Sequence, residues 1–250
     1  MTLHRFFACG PLTDEGALPL SPSDVHHIRD VLRLAPGDRI VVVDGTGAAV
    51  VRLTDVTGAV AGVRERALPV VEVPLVVLAQ AVPKGDRMET VIRQATEAGV
   101  SQFIPFTSER CVVRVDSAKA HAKAERWRRI AEEAAKQSQR TDVPQVADPV
   151  PLAELPALLE GAVVLVCWEE ADAAPGIGQI LDGLDVTPDS VVAVVIGPEG
   201  GLSADEVALL EAHGASVVTL GATLLRTDTA GLIASALVLY ERGSLGGRRG

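Results

Sequence analysis

The 250-residue sequence predicts an α/β protein in two parts: a small β-rich N-terminal domain over 1–70 and a larger parallel α/β domain over 74–245. Three observations predict it. Residues 1–70 offer short alternating strands and turn signals with little helix, the pattern of a small barrel or curled sheet. From Val73 onward buried apolar runs alternate with helical periodicity, the pattern of a parallel sheet covered by helices. Two of those runs end in glycine turns that lead straight into a helix.

In the first part, 3–8 is a strand, and Ser23 is the candidate cap of a short helix that ends through Val31-Leu32-Arg33-Leu34. Residues 39–44 and 48–56 form a hairpin about Asp44-Gly45-Thr46-Gly47, with a third strand at 60–68. Residues 69–74, bounded by Pro69 and Pro74, read as the linker. In the second part, 75–81 is a buried strand, 86–98 a helix, 102–106 a strand and 121–140 a long helix. A proline-rich connection follows through Pro144, Pro149 and Pro151. A short helix at 152–159 precedes a strand at 163–168, whose exit carries Glu169-Glu170-Ala171-Asp172. The Gly/Arg tail at 243–250 is expected to fray.

The first glycine turn is Ile196-Gly197-Pro198-Glu199-Gly200-Gly201-Leu202-Ser203. It follows the β-branched run 191–196 and precedes a helix for which Ser203 is the N-cap and Glu206 the capping-box partner. The second, Leu220-Gly221-Ala222-Thr223-Leu224-Leu225-Arg226-Thr227-Asp228-Thr229-Ala230, follows the strand 216–220. It opens an apolar helix at 229–240 with Thr227 or Asp228 as cap. Turns after two parallel strands joined by one helix belong at the same sheet edge, where open α/β sheets bind ligands. Glycines there allow backbone to approach a ligand closely. The resulting pocket of backbone groups and apolar side chains, with Arg226 as its cation, suits an adenine and its ribose. It lacks the phosphate cradle of a P-loop and the G-x-G-x-x-G fingerprint, which disfavours nucleoside triphosphates and dinucleotides. A tight β-to-α connection without a ligand is the alternative for either turn alone.

These two turns, with Lys84-Gly85-Asp86-Arg87-Met88-Glu89, Glu97-Ala98-Gly99-Val100, Ser108-Glu109-Arg110-Cys111, Trp127, Gln137-Ser138, Arg140, and Val31-Leu32-Arg33-Leu34 with Gly37-Asp38, resemble the RsmE family. These are 16S ribosomal RNA uridine-N3 methyltransferases of the SPOUT superfamily. The resemblance spans nearly the whole chain. Two positions depart from the family pattern: Asp228 stands where Glu is usual, and Lys136 where many relatives carry an acid. The resemblance implies a PUA-like RNA-binding β-barrel followed by a SPOUT domain with a C-terminal trefoil knot, S-adenosylmethionine as cofactor, and a homodimer acting on 16S ribosomal RNA in the small ribosomal subunit. The apolar helix around Leu232-Ile233-Ala234 and Leu237-Val238-Leu239 fits either a buried core or that dimer interface.

By the same resemblance the adenosine is held by Ile196, Gly197, Pro198, Gly200, Gly201, Leu220, Gly221, Leu224, Leu225, Arg226, Thr229 and Ala230. Cys167, Trp168 and Glu169 form a third wall. Uridine N3 carries a proton, so methyl transfer to it needs positioning, stabilisation of the uracil anion and a proton route. Arg226 is the candidate for the anion, with an ion pair to Asp228 as its alternative role. Glu199 is the candidate for base contact or proton acceptance, with stabilisation of the glycine turn as its alternative.

The net charge of −10 argues against RNA until it is divided along the chain. Residues 84–140 carry 12 basic and 8 acidic groups, whereas 141–250 carry 4 and 16. Phosphate contacts respond to local potential over roughly 8 Å in physiological salt, so a basic middle segment is compatible with an acidic protein. Candidate RNA-binding residues are Arg5, His27, Arg29, Arg33, Lys84, Arg87, Arg110, Arg114, Arg126, Arg128, Arg129 and Arg140, with Lys136 adding to the same basic stretch. A solvated charged helix is the alternative for much of 119–140, and a structural role is the alternative for His27. Cys9, Cys111 and Cys167 are odd in number and far apart, which argues for a reducing compartment. Scattered histidines and carboxylates predict no metal site. No apolar run reaches membrane-spanning length and no signal-type segment opens the chain, so the sequence reads as cytoplasmic with no membrane partner. Competing readings are another SPOUT methyltransferase, acting on a ribose 2′-oxygen or on transfer RNA, and a non-catalytic RNA-binding assembly protein.

Overall fold

The computed structural model describes residues 3–44, 47–68, 75–112, 117–171, 173–184, 186–187 and 189–246. The linker 69–74 therefore lies wholly outside the described residues, as do Arg114, Asp172 and the end of the Gly/Arg tail. The chain divides into two compact units, Met1–Glu72 with Ala135–Asp142, and Val73–Ala134 with Val143–Gly250.

The N-terminal unit contains β1 (Arg5–Phe7), β2 (Glu15–Ala17), α1 (Pro22–His26), β3 (Arg39–Asp44), β4 (Gly47–Asp55) and β5 (Ala61–Leu68). Its sheet runs β1-β3-β4-β5-β2, with β1 parallel to β3 and the other pairs antiparallel. An antiparallel bridge from Ala8 to Leu20, just beyond the two edge strands, draws those edges together. Alternate residues of β3 serve two clusters: Ile40 and Val42 pack with Phe6, Ile28 and Leu53, while Val41 and Val43 pack with Ala48 and Val50. That is the period of two expected of a strand buried on both faces. The helix cap is Ser21 rather than Ser23. Ser21 is extended and accepts from Asp24 N, and Pro22 at the first helical position presets φ for the turn. The helix then widens into a π-turn over His27–Val31. Asp24 is buried and pairs with Lys136 at 2.7 Å, and the Arg5 guanidinium donates to the Arg140 carbonyl at 2.8 Å. Lys136, the departure from the family pattern, thus has a carboxylate partner within this unit.

The second unit contains β6 (Val76–Ala81), α2 (Arg87–Ala98), β7 (Gln102–Thr107), α3 (Ser117–Gln137, whose last residues group with the first unit), β8 (Gln145–Val146), β9 (Val150–Pro151), α4 (Leu155–Leu158), β10 (Val163–Cys167), α5 (Ile177–Asp182), β11 (Val192–Ile196), α6 (Ala204–Ala212), β12 (Ser216–Val218) and α7 (Thr227–Glu241). The sheet order is β12-β10-β11-β6-β7-β8, with β9 also pairing β7, and every one of these pairs is parallel. Every residue of β6 and β11 is buried, as expected where helices cover both faces of a parallel sheet. Val76, Leu78, Val192, Val194 and Ile196 face side chains from α2, α3, α5 and α7; Val77, Ala79, Ala193 and Val195 face those from α4 and α6.

The connections β8, β9 and α5 were not evident from the sequence, because pairs of two residues and a six-residue helix carry too little periodicity. At the start of α6, Ser203 and Glu206 form the expected capping box, and Glu206 also accepts from Glu109 N at 2.8 Å. Replacing Ser203 with Ala is expected to lower stability by about 1 kcal/mol in denaturant unfolding, since it orphans a helix-terminal N–H.

Candidate active site

β10, β11 and β12 lie side by side and parallel, so their carboxyl ends meet at one edge of the sheet. There the two glycine turns enclose a cavity of about 480 Å³, walled by the exits of all three strands and the first turn of α7. Its lining includes Cys167, Trp168, Glu169, Ile196, Gly197, Pro198, Glu199, Leu220, Gly221, Leu224, Leu225, Arg226 and Ala230. These are all expected pocket residues. Gly200, Gly201 and Thr229 do not line it, whereas Arg87, Val218, Thr219, Ala222, Thr223 and Thr227 do. The volume falls in the range that takes a nucleoside-sized ligand. A second cleft of about 660 Å³ beside the start of α6, with Ser108, Cys111 and Asp205 among its lining, contains nothing from the second turn.

The first turn is held from several sides. A Cβ on Gly197 would stand 3.1 Å from Leu202 N and 3.0 Å from Leu202 Cγ, so the turn folds too tightly for a side chain there. Gly201 has φ +71°, and a Cβ on it would meet the Glu169 carboxylate. Its contribution is to the shape of the turn rather than to the wall. Arg110, expected to face RNA, donates to the Gly200 carbonyl at 3.1 Å, to the Leu202 carbonyl at 3.5 Å and to Glu170 at 3.4 Å. The Trp168 indole N–H donates to the Leu202 carbonyl at 3.2 Å. Glu199 accepts from Lys84 N at 3.0 Å and from the Arg87 guanidinium at 3.5 Å.

The second turn enters α7 differently from the expected cap. Arg226, not Thr227 or Asp228, occupies the N-cap position, in extended conformation and without a side-chain cap bond. The Thr227 hydroxyl is committed elsewhere: it donates to the Gly197 carbonyl at 2.6 Å and accepts from Gln80 Nε2 at 2.9 Å. Arg226 is exposed on the pocket wall and, among the described residues, makes no ion pair; Asp228 instead leaves Oδ1 buried without a hydrogen-bond partner. An unpaired guanidinium at a pocket mouth is free to meet an anion.

Burial pushes the Cys167 thiol up to about 12. The Cys167 side chain on this wall is therefore a neutral, weakly polar thiol at physiological pH, compatible with an uncharged adenine face. Among the described residues, no cluster of three or more His, Cys, Asp or Glu side chains is placed to hold a metal ion, and no helix is long and apolar enough to cross a membrane.

Many of the expected RNA-binding cations have protein partners. In the N-terminal unit, Arg29 donates to the Val56 carbonyl, His27 sits edge-on to Phe6 with ring centres 6.3 Å apart, and Arg140 pairs with Asp142. Arg33 is exposed and adopts φ +53°. Burial lowers the pKa of Arg5. In the second unit, Arg126 pairs with Glu89, and Arg129 donates to the Glu125 carbonyl. Arg128 bonds Glu125, Asp148 and the Val146 carbonyl, and its hydrogen bond to Glu125 holds the guanidinium above its ordinary pKa. Lys84 is exposed. Sequence reasoning passed over Gln80 and gave Thr227 only a capping role. The available signal was a lone polar residue inside the otherwise apolar strand Val76–Ala81, since a buried polar group is the informative exception.

The family model described as an RNA methyltransferase domain matches residues 71–239, and one described as an RNA methyltransferase PUA domain matches residues 20–58. Fold, pocket and these matches define the class as RNA methyltransferases with a PUA domain. The chain is 36% identical over 246 residues to a protein of Mycobacterium tuberculosis named ribosomal RNA small subunit methyltransferase E, covering 93% of this chain and 90% of the relative. It is 36% identical over 232 residues to the protein of that name in Bacillus subtilis, covering 89% of each. The crystal structure of the Neisseria gonorrhoeae protein of that name, bound to S-adenosyl methionine, superposes with a TM-score of 0.80 at 29% identity, over 95% of this chain and 97% of that one. A Legionella pneumophila methyltransferase structure with bound SAM gives 0.82 at 29%, over 96% and 98%. The chain belongs to the ribosomal RNA small subunit methyltransferase E family.

Two outcomes are expected at this site. Gly201→Val is expected to weaken S-adenosylmethionine binding by roughly tenfold or more in calorimetry, because a β-branched residue at positive φ distorts the turn. At pH 8, iodoacetamide is expected to label exposed Cys9 and spare Cys167, read by peptide mass spectrometry. The unfolded thiol titrates near 9.0 and the folded one near 12. The preference of this group for the folded state is therefore complete below 9 and is lost as pH climbs toward 12.

Proposed function

We propose that this protein methylates N3 of a uridine in 16S ribosomal RNA, using S-adenosylmethionine held between the two glycine turns. The observation that carries the reading is that both turns line one nucleoside-sized cavity with an unpaired arginine at its wall. The names of the relatives, and the SAM-bound structures that share this fold across nearly the whole chain, support the same reading. Gly197, Leu220, Gly221 and Leu225 would hold the adenosine through backbone and apolar contacts, with Cys167, Trp168 and Glu169 as the third wall. When bound, S-adenosylmethionine supplies an electrophilic methyl group on a sulfonium. Arg226, with no carboxylate partner among the described residues, stabilises negative charge as it develops on the uracil ring. Glu199 accepts hydrogen bonds from Lys84 N and the Arg87 guanidinium. So held, it orients the first turn and stands as the candidate proton acceptor. Because N3 lies on the Watson–Crick edge, the target base must be unpaired before reaction.

The domain assignment follows: 1–70 as a PUA-like RNA-binding β-barrel and 74–245 as the SPOUT methyltransferase domain, with a C-terminal trefoil knot. Arg33 and Lys84, exposed in their respective units, are the best-placed of the expected RNA contacts. A homodimer is supported by Ile233, Leu237 and Tyr240, which stand at helical spacing on α7 and are about two-fifths exposed. A small-subunit substrate places the enzyme in the cytoplasm.

The test is to incubate the protein and labelled S-adenosylmethionine with small ribosomal subunits lacking the modification, then map the label by mass spectrometry. Label at uridine N3 is expected; label on ribose, on transfer RNA or nowhere contradicts the assignment. Arg226→Gln is expected to reduce turnover about 100-fold while retaining most cofactor affinity. A variant of undiminished turnover removes Arg226 from the catalytic residues.

A further inference from the structure

Gln80 is the one polar residue of β6, and it is fully buried. Its amide is 2.9 Å from Thr227 Oγ1, which in turn lies 2.6 Å from the Gly197 carbonyl oxygen. A carbonyl oxygen only accepts, so the single Thr227 hydroxyl proton must point at Gly197. The Gln80 group that faces Thr227 must then be the donating NH₂. Gln80 Nε2 also approaches the Ala81 carbonyl at 3.3 Å, while Oε1 is buried without a hydrogen-bond partner. A Cβ on Gly231 of α7 would stand 2.4 Å from that oxygen, so the glycine makes room for the amide. A buried acceptor left unmatched is costly, commonly by about 1–3 kcal/mol. An apolar residue would fill this strand position without that penalty.

We infer that Gln80 is a positioning residue for the cofactor pocket: by donating to Thr227 it fixes the direction of the hydroxyl proton toward Gly197, and so sets the spacing between the two glycine turns. The inference rests on the reading of this cavity as the S-adenosylmethionine site. Gln80 does not line the cavity, but Thr227 and Gly197 do, one from each turn. With the donor at position 80 removed, the Thr227 hydroxyl is free to rotate away, and the two walls lose their fixed separation. The cofactor then has to order them on binding, which lowers affinity. The amide nitrogen bonds Thr227 Oγ1 and the Ala81 carbonyl, and neither titrates between pH 6 and 9.

The experiment is calorimetric titration of S-adenosylmethionine into the wild-type protein, Gln80→Met, Gln80→Glu, Thr227→Ser and Thr227→Val, from pH 6 to 9, with circular dichroism as a check of folding. Gln80→Met is expected to bind roughly tenfold more weakly than wild type, the scale of one lost hydrogen bond. Thr227→Ser, which keeps the hydroxyl, is expected to bind more tightly than Thr227→Val. Gln80→Glu donates to Thr227 only while its carboxyl is protonated, which burial favours. Its affinity is therefore expected to be nearest wild type at pH 6 and to fall as pH rises, with no parallel fall in wild type. A folded Gln80→Met with wild-type affinity overturns the inference. Should Gln80→Met fail to fold, an affinity of Gln80→Glu that follows the wild-type pH profile overturns it instead. Failure of the wild-type protein to bind at any pH would contradict the cofactor reading itself, an outcome distinct from either.

Discussion

The hydroxyl of Thr227 donates to the Gly197 carbonyl, and the geometry of the C-terminal site depends on that contact. Gly197 directly follows β11, the strand paired with β6 and β10; Thr227 begins α7, the helix packed across β6 and β11 through Ala234 and Val238. One buried hydrogen bond thus joins the exit of a central strand to the entry of the last helix. In a dry environment such a bond is stronger than on the surface, and leaving either partner unmatched is costly. The space between the turns is a property of the packed sheet and helix rather than of two independent loops.

Around this contact the chain uses its polar groups to hold backbone. Arg110 reaches the carbonyls of Gly200 and Leu202, the Trp168 indole reaches Leu202, and Glu199 takes the N–H of Lys84. Each satisfies a main-chain group that a tight turn would otherwise leave to solvent. Two of these residues, Arg110 and Glu199, invite a functional reading from sequence because they are charged and sit beside motif glycines. Their observed hydrogen bonds show that both also hold the backbone in and around the turn. Arg226 is different: it has no such partner among the described residues, and its freedom is what recommends it for chemistry.

The sequence made the strongest periodicities legible. The apolar runs at β6, β7, β10 and β11, the capping box at Ser203 and Glu206, and the two glycine turns at one sheet edge were all anticipated from local pattern. Local pattern misled where a side chain had a distant partner. Thr227 reads as a helix cap, yet its hydroxyl is taken by a carbonyl 30 residues away. Ser23 lost the cap to Ser21 because Pro22 favours the first helical position. Arg126 and Arg128 read as a basic face, but Glu89 and Asp148 from other segments, and Glu125 from the same helix, pair with them. Charge counted along a chain does not reveal which charges the fold brings together. Gln80 was legible only as an anomaly, and its partner 147 residues away was not.

The most direct test of the central claim is a crystal structure of the protein with S-adenosylhomocysteine. The account predicts one adenosine touching both turns at once, with backbone contacts from Gly197 and from the Leu220–Leu225 segment and the thiol of Cys167 beneath it. An adenosine bound by one turn alone, or seated in the cleft beside Cys111 and Asp205, would contradict it.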